Sequence, residues 1–227
     1  MSSSQLFTTI TDRIATVRQQ LPETVRLIAV SKQISVEAMR EAYAAGIRDF
    51  GESRVQEAAA KQSQLQDLPD ITWHLIGHLQ TNKAKKALEH FQWIHSLDSL
   101  KLAQSLDNLA KSLSTNPHVL LQVKLLPDPN KYGWTEEELF TDLLALNQCK
   151  NIQIKGLMTI APLNLTEAEI LTLFQNTRSL AAKIQQQNWS NIQMQHLSMG
   201  MSGDYHLAVQ AGATMVRLGH TLFGSRS

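Results

Sequence analysis

Short apolar runs alternate along this chain with longer segments in which apolar residues recur at helical spacing. The runs are rich in β-branched residues, which favour strands, and the segments between them have the period of amphipathic helices. Strands that alternate with helices predict a parallel sheet. The eight runs cover residues 25–31, 47–51, 71–77, 91–96, 118–124, 152–158, 192–198 and 213–219.

Eight strand–helix units in 227 residues predict an α/β fold of the (β/α)8 TIM-barrel type, for which roughly 250 residues is typical. An open doubly wound sheet is the alternative, but it normally has fewer strands and often a glycine-rich fingerprint after the first one. Residues 29–35, AVSKQIS, contain no glycine. We therefore predict a single barrel domain over residues 1–227, with an extra N-terminal helix. The apolar face of that helix consists of Phe7, Ile10, Ile14, Val17 and Leu21.

Charge and cysteine content narrow the possible functions. The net charge of +1 gives no electrostatic preference for nucleic acid or for a membrane surface. The single cysteine, Cys149, excludes an intrachain disulfide and a multi-cysteine zinc site, and fits a reducing compartment. No stretch approaches the roughly 20 apolar residues of a membrane span, and the N-terminus lacks the pattern of a secretory signal. These features predict a cytoplasmic protein.

The loops that follow the strands build the active face of such barrels, so the residues at the strand exits are the candidates for chemistry. Lys32 follows the first run. Residues 198–204, SMGMSGD, and 217–224, RLGHTLFG, follow the seventh and eighth. Small residues, hydroxyls and helix N-termini bind phosphate readily, and phosphate sites after strands seven and eight recur in this fold. We predict a phosphate site there, although a capped turn would also explain SMGMSGD.

A lysine opposite a phosphate site suggests Schiff-base chemistry, in which its amine joins a carbonyl compound anchored by the phosphate. Pyridoxal phosphate (PLP) has both groups, and its pyridine nitrogen needs a polar partner. The position of Arg217 suits it to be the partner of this nitrogen. Spacing alone still favours a Lys32 whose amine merely extends into solvent.

Seven motifs that follow one another along the chain favour the Schiff-base interpretation of Lys32 over the solvent-exposed one. Through them the chain resembles the PLP homeostasis proteins, which are single-domain barrels related to the N-terminal domain of alanine racemase (PLP fold type III). The resemblance implies pyridoxal 5'-phosphate as the cofactor, held as a Schiff base, and a role in vitamin B6 and amino-acid and keto-acid homeostasis. The motifs are AVSK (29–32), FGESRVQE (50–57), WHLIGHLQTNK (73–83), KYG (131–133), GLMTI (156–160), SMGMSGD (198–204) and VRLGHTLFG (216–224).

The resemblance also implies a part for individual residues. Lys32 would be the lysine joined to PLP, and Arg217 the partner of the pyridine nitrogen. Two positions depart from the family pattern, because Ser53 stands where the family usually has Asn and His220 where it usually has Thr or Ser. Ser53 and His220 remain among the predicted cofactor contacts. The others are Ser202 and the backbone of Gly219 at the phosphate, Ser198 and Gly200 in the phosphate loop, and Met158 and His78 beside the cofactor.

The predicted arginine argues against strong catalysis. A guanidinium keeps its proton at working pH, so it can only donate a hydrogen bond, and the pyridine nitrogen must accept that bond. A pyridine ring that is not protonated is a poorer electron sink than a protonated one. The racemases of this fold add a tyrosine base from a second domain, and Tyr43, Tyr132 and Tyr205 do not match it. We expect a monomeric PLP-binding protein that is not an enzyme and has no appreciable racemase activity. Its expected partners are PLP itself and PLP-dependent enzymes or a regulatory protein.

Three other functions stay open, each with a test. A PLP-dependent racemase or decarboxylase would turn over amino acids, and a Schiff-base aldolase would be colourless when pure. A basic surface at 80–86 could bind a partner, although a solvated helix face is the simpler interpretation.

Two groups of residues could suggest metal binding. His74 and His78 would need a helix to bind a metal together, and His74 lies in a predicted strand, which favours a packed histidine. The methionines at 194, 199 and 201 fit adaptable packing better than a copper site.

Overall fold

In the computed structural model, residues 9–128 and 132–224 are described, and within them eight parallel strands close a barrel in chain order. Strand β8 pairs with β1, which completes the ring. The predicted (β/α)8 barrel is confirmed, and each strand overlaps its predicted run. The strands are β1 (Arg26–Val30), β2 (Asp49–Glu52), β3 (Thr72–Leu75), β4 (Trp93–Leu97), β5 (His118–Gln122), β6 (Gln153–Met158), β7 (Ile192–Ser198) and β8 (Met215–Leu218).

Helices connect the strands and surround them. Those that begin at Ile10, Glu136 and Glu167 start with a capping box, in which a threonine and an acidic residue three positions later satisfy each other's backbone N–H groups. The helices are α1 (Ile10–Gln20), α2 (Val36–Ala44), α3 (Val55–Gln64), α4 (Ala84–His90), α5 (Leu100–Leu113), α6 (Glu136–Leu146), α7 (Glu167–Gln185), α8 (Tyr205–Gln210) and α9 (His220–Phe223).

The predicted N-terminal helix is α1. It buries Ile14 and Val17 and packs against α2 and α9. The Arg13 side chain donates to the carbonyl oxygen of Leu222 at 2.7 Å, which fixes α1 to the end of the described chain. The helix therefore lies beside the last helix, α9. Phe7, also assigned to that face, lies outside the described residues.

The core has two parts. A large apolar cluster lies between the strands and the helices. A smaller one fills the inside of the barrel, and consists of Ile28, Trp93, Leu120, Met158 and Met215. Because strand side chains alternate between the two faces of a sheet, every second residue of each strand faces this interior.

Outside the barrel, Cys149 is buried after α6, and burial raises the pKa of its thiol to about 11. A protonated thiol is unreactive, which fits a packing residue. None of the helices within 9–128 and 132–224 has both the length and the apolar character needed to cross a bilayer.

Candidate functional site

Lys32 lies at the carboxyl end of the barrel, directly after β1, and shares a cavity with the loop after β8. The two meet because β1 and β8 are neighbours in the closed sheet. In the described part of the chain the Lys32 amine has no hydrogen-bond or ion-pair partner. The cavity has a volume of about 180 Å³ and is lined by Val30, Lys32, Ile34, Gly219, His220, Phe223 and Gly224.

A second cavity of about 210 Å³ lies on the other side of Lys32. Ser53, Arg54 and Glu57 line it together with Lys32 and Gln33. The structure thus brings Ser53, the first departure from the family motif, next to the lysine. Arg54 and Glu57 were not predicted as site residues.

The two clusters predicted to bind phosphate contact each other. The Ser202 hydroxyl accepts from the backbone N–H of Thr221 at 3.3 Å. The carbonyl oxygen of Gly200 accepts from the backbone N–H of Arg217 at 3.0 Å. Gly200 has φ +93°, and a Cβ there would lie 2.6 Å from the Cβ of Ala208, so both the conformation and the space require glycine. The loop after β7 is therefore held against the loop after β8.

Gly219 and His220 open the short helix α9 at the edge of the Lys32 cavity. The first N–H groups of a helix have no acceptor inside it, so these two backbone groups can donate to an anion whatever side chain position 220 carries. Gly219 packs closely on β1, because a Cβ there would lie 3.4 Å from Val30.

Arg217 lies inside the barrel mouth and is only 4% exposed. Its guanidinium donates to the Ser198 hydroxyl at 2.7 Å and to the carbonyl oxygen of Thr159 at 2.9 Å. Burial lowers the pKa of Arg217 to about 10, so the group keeps its charge at neutral pH. A guanidinium has five N–H donors and no acceptor, and these two bonds leave donors available for a ligand nitrogen.

A hydrogen-bonded chain runs from Arg217 through the barrel interior. Ser198 Oγ lies 2.8 Å from His95 Nδ1, His95 Nε2 lies 2.9 Å from His74 Nδ1, and His74 Nε2 lies 2.8 Å from Asp49 Oδ1. Burial lowers the pKa of both histidines, that of His95 strongly, with positive neighbours adding to the effect at His95. Both rings are therefore neutral at pH 7.

The direction of each bond in this chain follows from the groups at its two ends, Arg217 and Asp49. Arginine only donates, so the Ser198 oxygen accepts from it, and the Asp49 carboxylate only accepts, so Nε2 of His74 carries a hydrogen. Nδ1 of His74 then accepts from Nε2 of His95, and Nδ1 of His95 accepts from the Ser198 hydroxyl. We therefore assign the hydrogen of each histidine to Nε2, which makes His74 a donor to the Asp49 carboxylate. The groups next to the guanidinium are therefore fixed and neutral, and the chain ends at the Asp49 carboxylate.

Comparison with known proteins tests the resemblance directly. The family model for the N-terminal domain of alanine racemase matches residues 7–227. The pyridoxal phosphate homeostasis protein of Synechocystis sp. is 52% identical over 206 residues, which are 91% of this chain and 94% of the relative. That of Pseudomonas aeruginosa is 42% identical over 205 residues, 90% of this chain and 86% of the relative. The chain belongs to the pyridoxal phosphate homeostasis protein family.

Solved structures agree with this assignment. PipY of Synechococcus elongatus, solved without PLP, is 57% identical and superposes with a TM-score of 0.93 over 95% of this chain and 100% of its own. The same protein with PLP bound gives 56% and 0.91 over the same shares. Alanine racemase from Clostridium difficile matches with a TM-score of 0.79 over 97% of this chain and 57% of its own at 15% identity, which shows a shared fold. The predicted family resemblance is confirmed.

Two further predicted contacts, Met158 and His78, have structural neighbours of their own. Met158 is fully buried in the apolar cluster inside the barrel. His78 follows β3, and its Nδ1 lies 2.8 Å from a carboxylate oxygen of Asp98. The His78 ring stacks on Tyr132, with ring centroids 3.7 Å apart and an angle of 10°. Neither Met158 nor His78 lines the two cavities at Lys32. Their contact with a cofactor stays a prediction.

Ser198 has a different immediate environment from the other phosphate-loop residues. Its hydroxyl is fully buried and bonded to Arg217 and His95, so a part in the phosphate loop, which stays a prediction, would fall to its backbone. Sequence reasoning did not select His95 or Thr159 as site residues. The alternation of β4 could have shown that His95 faces the same side as Trp93, whereas Thr159 contributes only a carbonyl oxygen and leaves no side-chain signal.

The tyrosines and the other histidine and lysine candidates have ordinary structural partners. The Tyr43 hydroxyl bonds to Asp70, and that of Tyr205 donates to Gln20 at 2.6 Å. His74, the residue considered for a metal pair, bonds instead to Asp49 and His95. In the basic segment 80–86, Lys85 and Lys86 are exposed, Lys83 is half-buried, and Ala84 is buried, which is the pattern of a solvated helix face.

Proposed function

We propose that this protein binds pyridoxal 5'-phosphate through Lys32 and serves vitamin B6 and amino-acid and keto-acid homeostasis, without appreciable racemase activity. The observation that carries the proposal is the cavity that Lys32 shares with Gly219 and His220. It puts an amine next to backbone N–H groups that suit a phosphate. A relative 56% identical, PipY, has been solved with PLP bound.

The residues around Lys32 fit this ligand. PLP supplies an aldehyde, which an amine can capture as a Schiff base. The Lys32 amine performs the capture, and it is not engaged by the described residues around it. Ser202 and the backbone of Gly219 and His220 hold the phosphate, and Gly200 gives the loop after β7 the turn that it needs.

Arg217 fits an unprotonated pyridine nitrogen. The guanidinium is charged, donates only, and is supported by Ser198 and Thr159. A ring nitrogen at that position accepts a hydrogen bond instead of taking a proton. Such a ring withdraws electrons weakly, which favours holding and releasing the cofactor over carbanion chemistry.

The tyrosines also argue against a racemase. Tyr43 and Tyr205 have their hydroxyls bonded to Asp70 and Gln20, and the ring of Tyr132 stacks on His78. A two-base racemase needs a second base facing the lysine.

We extend the proposal to a monomer that delivers PLP to PLP-dependent enzymes or interacts with a regulatory protein. The net charge and the cysteine content favour the cytoplasm as its location.

Borohydride reduction tests the proposal. The purified protein is mixed with PLP, its absorption spectrum is taken, the imine is reduced, and the modified lysine is mapped by mass spectrometry. We expect modification at Lys32 and its loss in Lys32→Ala. PLP on another lysine, or on none, would contradict the proposal. Amino-acid racemisation that disappears in Lys32→Ala would contradict the claim that racemase activity is lacking.

A further inference from the structure

Side chains of helix α3 hold the two peptide groups on either side of Lys32. Lys61 Nζ donates to the carbonyl oxygen of Ser31 at 2.6 Å, which belongs to the peptide before Lys32. The backbone N–H of Gln33, in the peptide after Lys32, donates to Glu57 Oε1 at 2.5 Å. The backbone at Lys32 cannot shift relative to α3 without breaking one of these bonds.

Lys61 itself is buried and fully bonded. It is 7% exposed, and its ammonium also donates to Glu52 Oε1 at 2.8 Å and to Glu57 Oε1 at 2.7 Å. An ammonium has three N–H donors, and with the Ser31 carbonyl all three have acceptors. Lys61 is therefore unsuited to act as a nucleophile, in contrast to Lys32, which lines two cavities.

The end of β1 is tied into the same cluster. The Ser31 hydroxyl donates to Glu52 Oε1 at 2.7 Å, and Glu52 is fully buried. Ser31 and Lys32 follow β1 directly, and while the Ser31 hydroxyl is held by Glu52, the Lys32 side chain lines the two cavities. The cluster thus determines which residue of the pair reaches the ligand.

Gln33 adds a conformational reason for the restraint. Its φ is +60°, in the left-handed region that residues other than glycine, asparagine and aspartate seldom adopt. Such a residue needs surrounding contacts to keep it there. The bond to Glu57 is one, and it determines how the chain turns immediately after Lys32.

We propose that Lys61 and Glu57 are positioning residues that fix Lys32 for its reaction with the PLP aldehyde, an inference that rests on the proposed function. In that reaction the Lys32 nitrogen forms a double bond to the aldehyde carbon. The aldehyde oxygen leaves as water with the two hydrogens of the neutral amine. Neither Lys61 nor Glu57 touches the reacting atoms, and both act through the backbone of residues 31–33.

Glu57 offers the cleaner variant, because it is partly exposed while Lys61 is buried with Glu52 and its loss endangers the fold. Glu57→Ala removes the acceptor for Gln33, and Glu57→Gln keeps a side-chain oxygen there. The matched control is Glu136→Ala, which removes an exposed glutamate that pairs with Lys183 at the same 2.7 Å.

Two measurements are made on each variant. One is amide hydrogen exchange of the segment 31–34 in the protein without PLP, and the other is the rate at which added PLP becomes reducible by borohydride at Lys32. We expect Glu57→Ala to exchange faster and to attach PLP about tenfold more slowly, the equivalent of one net hydrogen bond. Glu57→Gln should restore both values, and Glu136→Ala should change neither.

The outcomes separate the two claims. If wild type attaches PLP to Lys32 and Glu57→Ala behaves like Glu136→Ala, the positioning role is refuted while the proposed function stands. The positioning role is also refuted if Glu57→Gln attaches PLP as slowly as Glu57→Ala, because a general loss of stability would then explain the slower attachment. If wild type attaches no PLP to Lys32, the proposed function fails and the positioning role in that reaction fails with it. The amide hydrogen-exchange data would then show only how firmly Glu57 holds the backbone of residues 31–34.

Discussion

The Ser198 hydroxyl lies 2.7 Å from a guanidinium nitrogen of Arg217, at the junction between the candidate ligand site and the chain of buried polar groups below it. Ser198 accepts from the arginine and donates to His95, so one hydroxyl satisfies two buried groups at once. The charged group that we assign to the pyridine nitrogen is thereby supported by neutral partners.

Ser198→Ala should therefore destabilise the protein and weaken its hold on PLP. The change leaves Nδ1 of His95 without a donor and removes one acceptor from Arg217, and an unsatisfied buried polar group costs about 1–3 kcal/mol. Urea unfolding of the PLP-free protein measures the first effect, and the rate of PLP release measures the second. Ser112→Ala, at an exposed helical serine, is the control. Equal stabilities for the two variants would contradict the assigned bonding.

The buried histidines predict how stability depends on pH. Burial lowers the pKa of His95 well below its usual value, whereas an unfolded histidine titrates near pH 6.5. Below about pH 6.5 the unfolded state binds more protons, so the stability present at higher pH is lost as the pH falls. Each such histidine contributes a slope of about 1.4 kcal/mol per pH unit.

His95→Gln tests that slope. The free energy of unfolding is measured by urea titration between pH 8 and pH 5 for wild type, His95→Gln and the exposed control His206→Gln. We expect the His95 variant to lose less stability per pH unit than wild type. The steepness that remains is expected from His74, His118 and His196, whose pKa values burial also lowers. An unchanged slope in His95→Gln would show that His95 is charged in the folded protein.

The fold could be predicted from the sequence because each strand and helix has its own period, and eight repeats of the unit leave few other arrangements. The meeting of Lys32 with Gly219 follows from the same topology, since the first and last strands of a closed barrel are neighbours. The chain from Arg217 to Asp49 could not be predicted so easily. It joins inward positions on β8, β7, β4, β3 and β2, and that match depends on how the barrel closes.

Lys61 shows a second limit of sequence reasoning. With Glu57 it forms an i, i+4 pair, the spacing of an ordinary pair on a solvated helix face. Nothing in that spacing indicates burial, or that the ammonium reaches the carbonyl oxygen of Ser31 on a neighbouring element. The role appears only when α3 is packed against the ends of β1 and β2.

Gly200→Ala should disrupt the loop after β7, whereas Gly203→Ala should be tolerated. Gly200 has φ +93°, and a Cβ there would lie 2.6 Å from Ala208, while a Cβ at Gly203 meets nothing within 4 Å. Thermal unfolding and the affinity for PLP are measured for both variants. We expect a lower melting temperature and weaker binding for Gly200→Ala alone. Equal behaviour of the two would contradict the requirement for glycine at position 200.

Removal of the Lys61 charge should be among the single changes that destabilise the folded protein most. Lys61→Met leaves Glu52 buried without its cationic partner, and loss of one partner from a buried ion pair costs about 3–5 kcal/mol. Glu52→Gln in the same protein removes the stranded charge and keeps an oxygen that can accept from Ser31. The double variant should therefore be more stable than Lys61→Met alone, which urea unfolding of the PLP-free proteins would show. Arg40→Met, at an exposed pair with Asp67, is the control and should change stability little. If the double variant were less stable than Lys61→Met, the cost would come from lost packing instead of from the unpaired carboxylate.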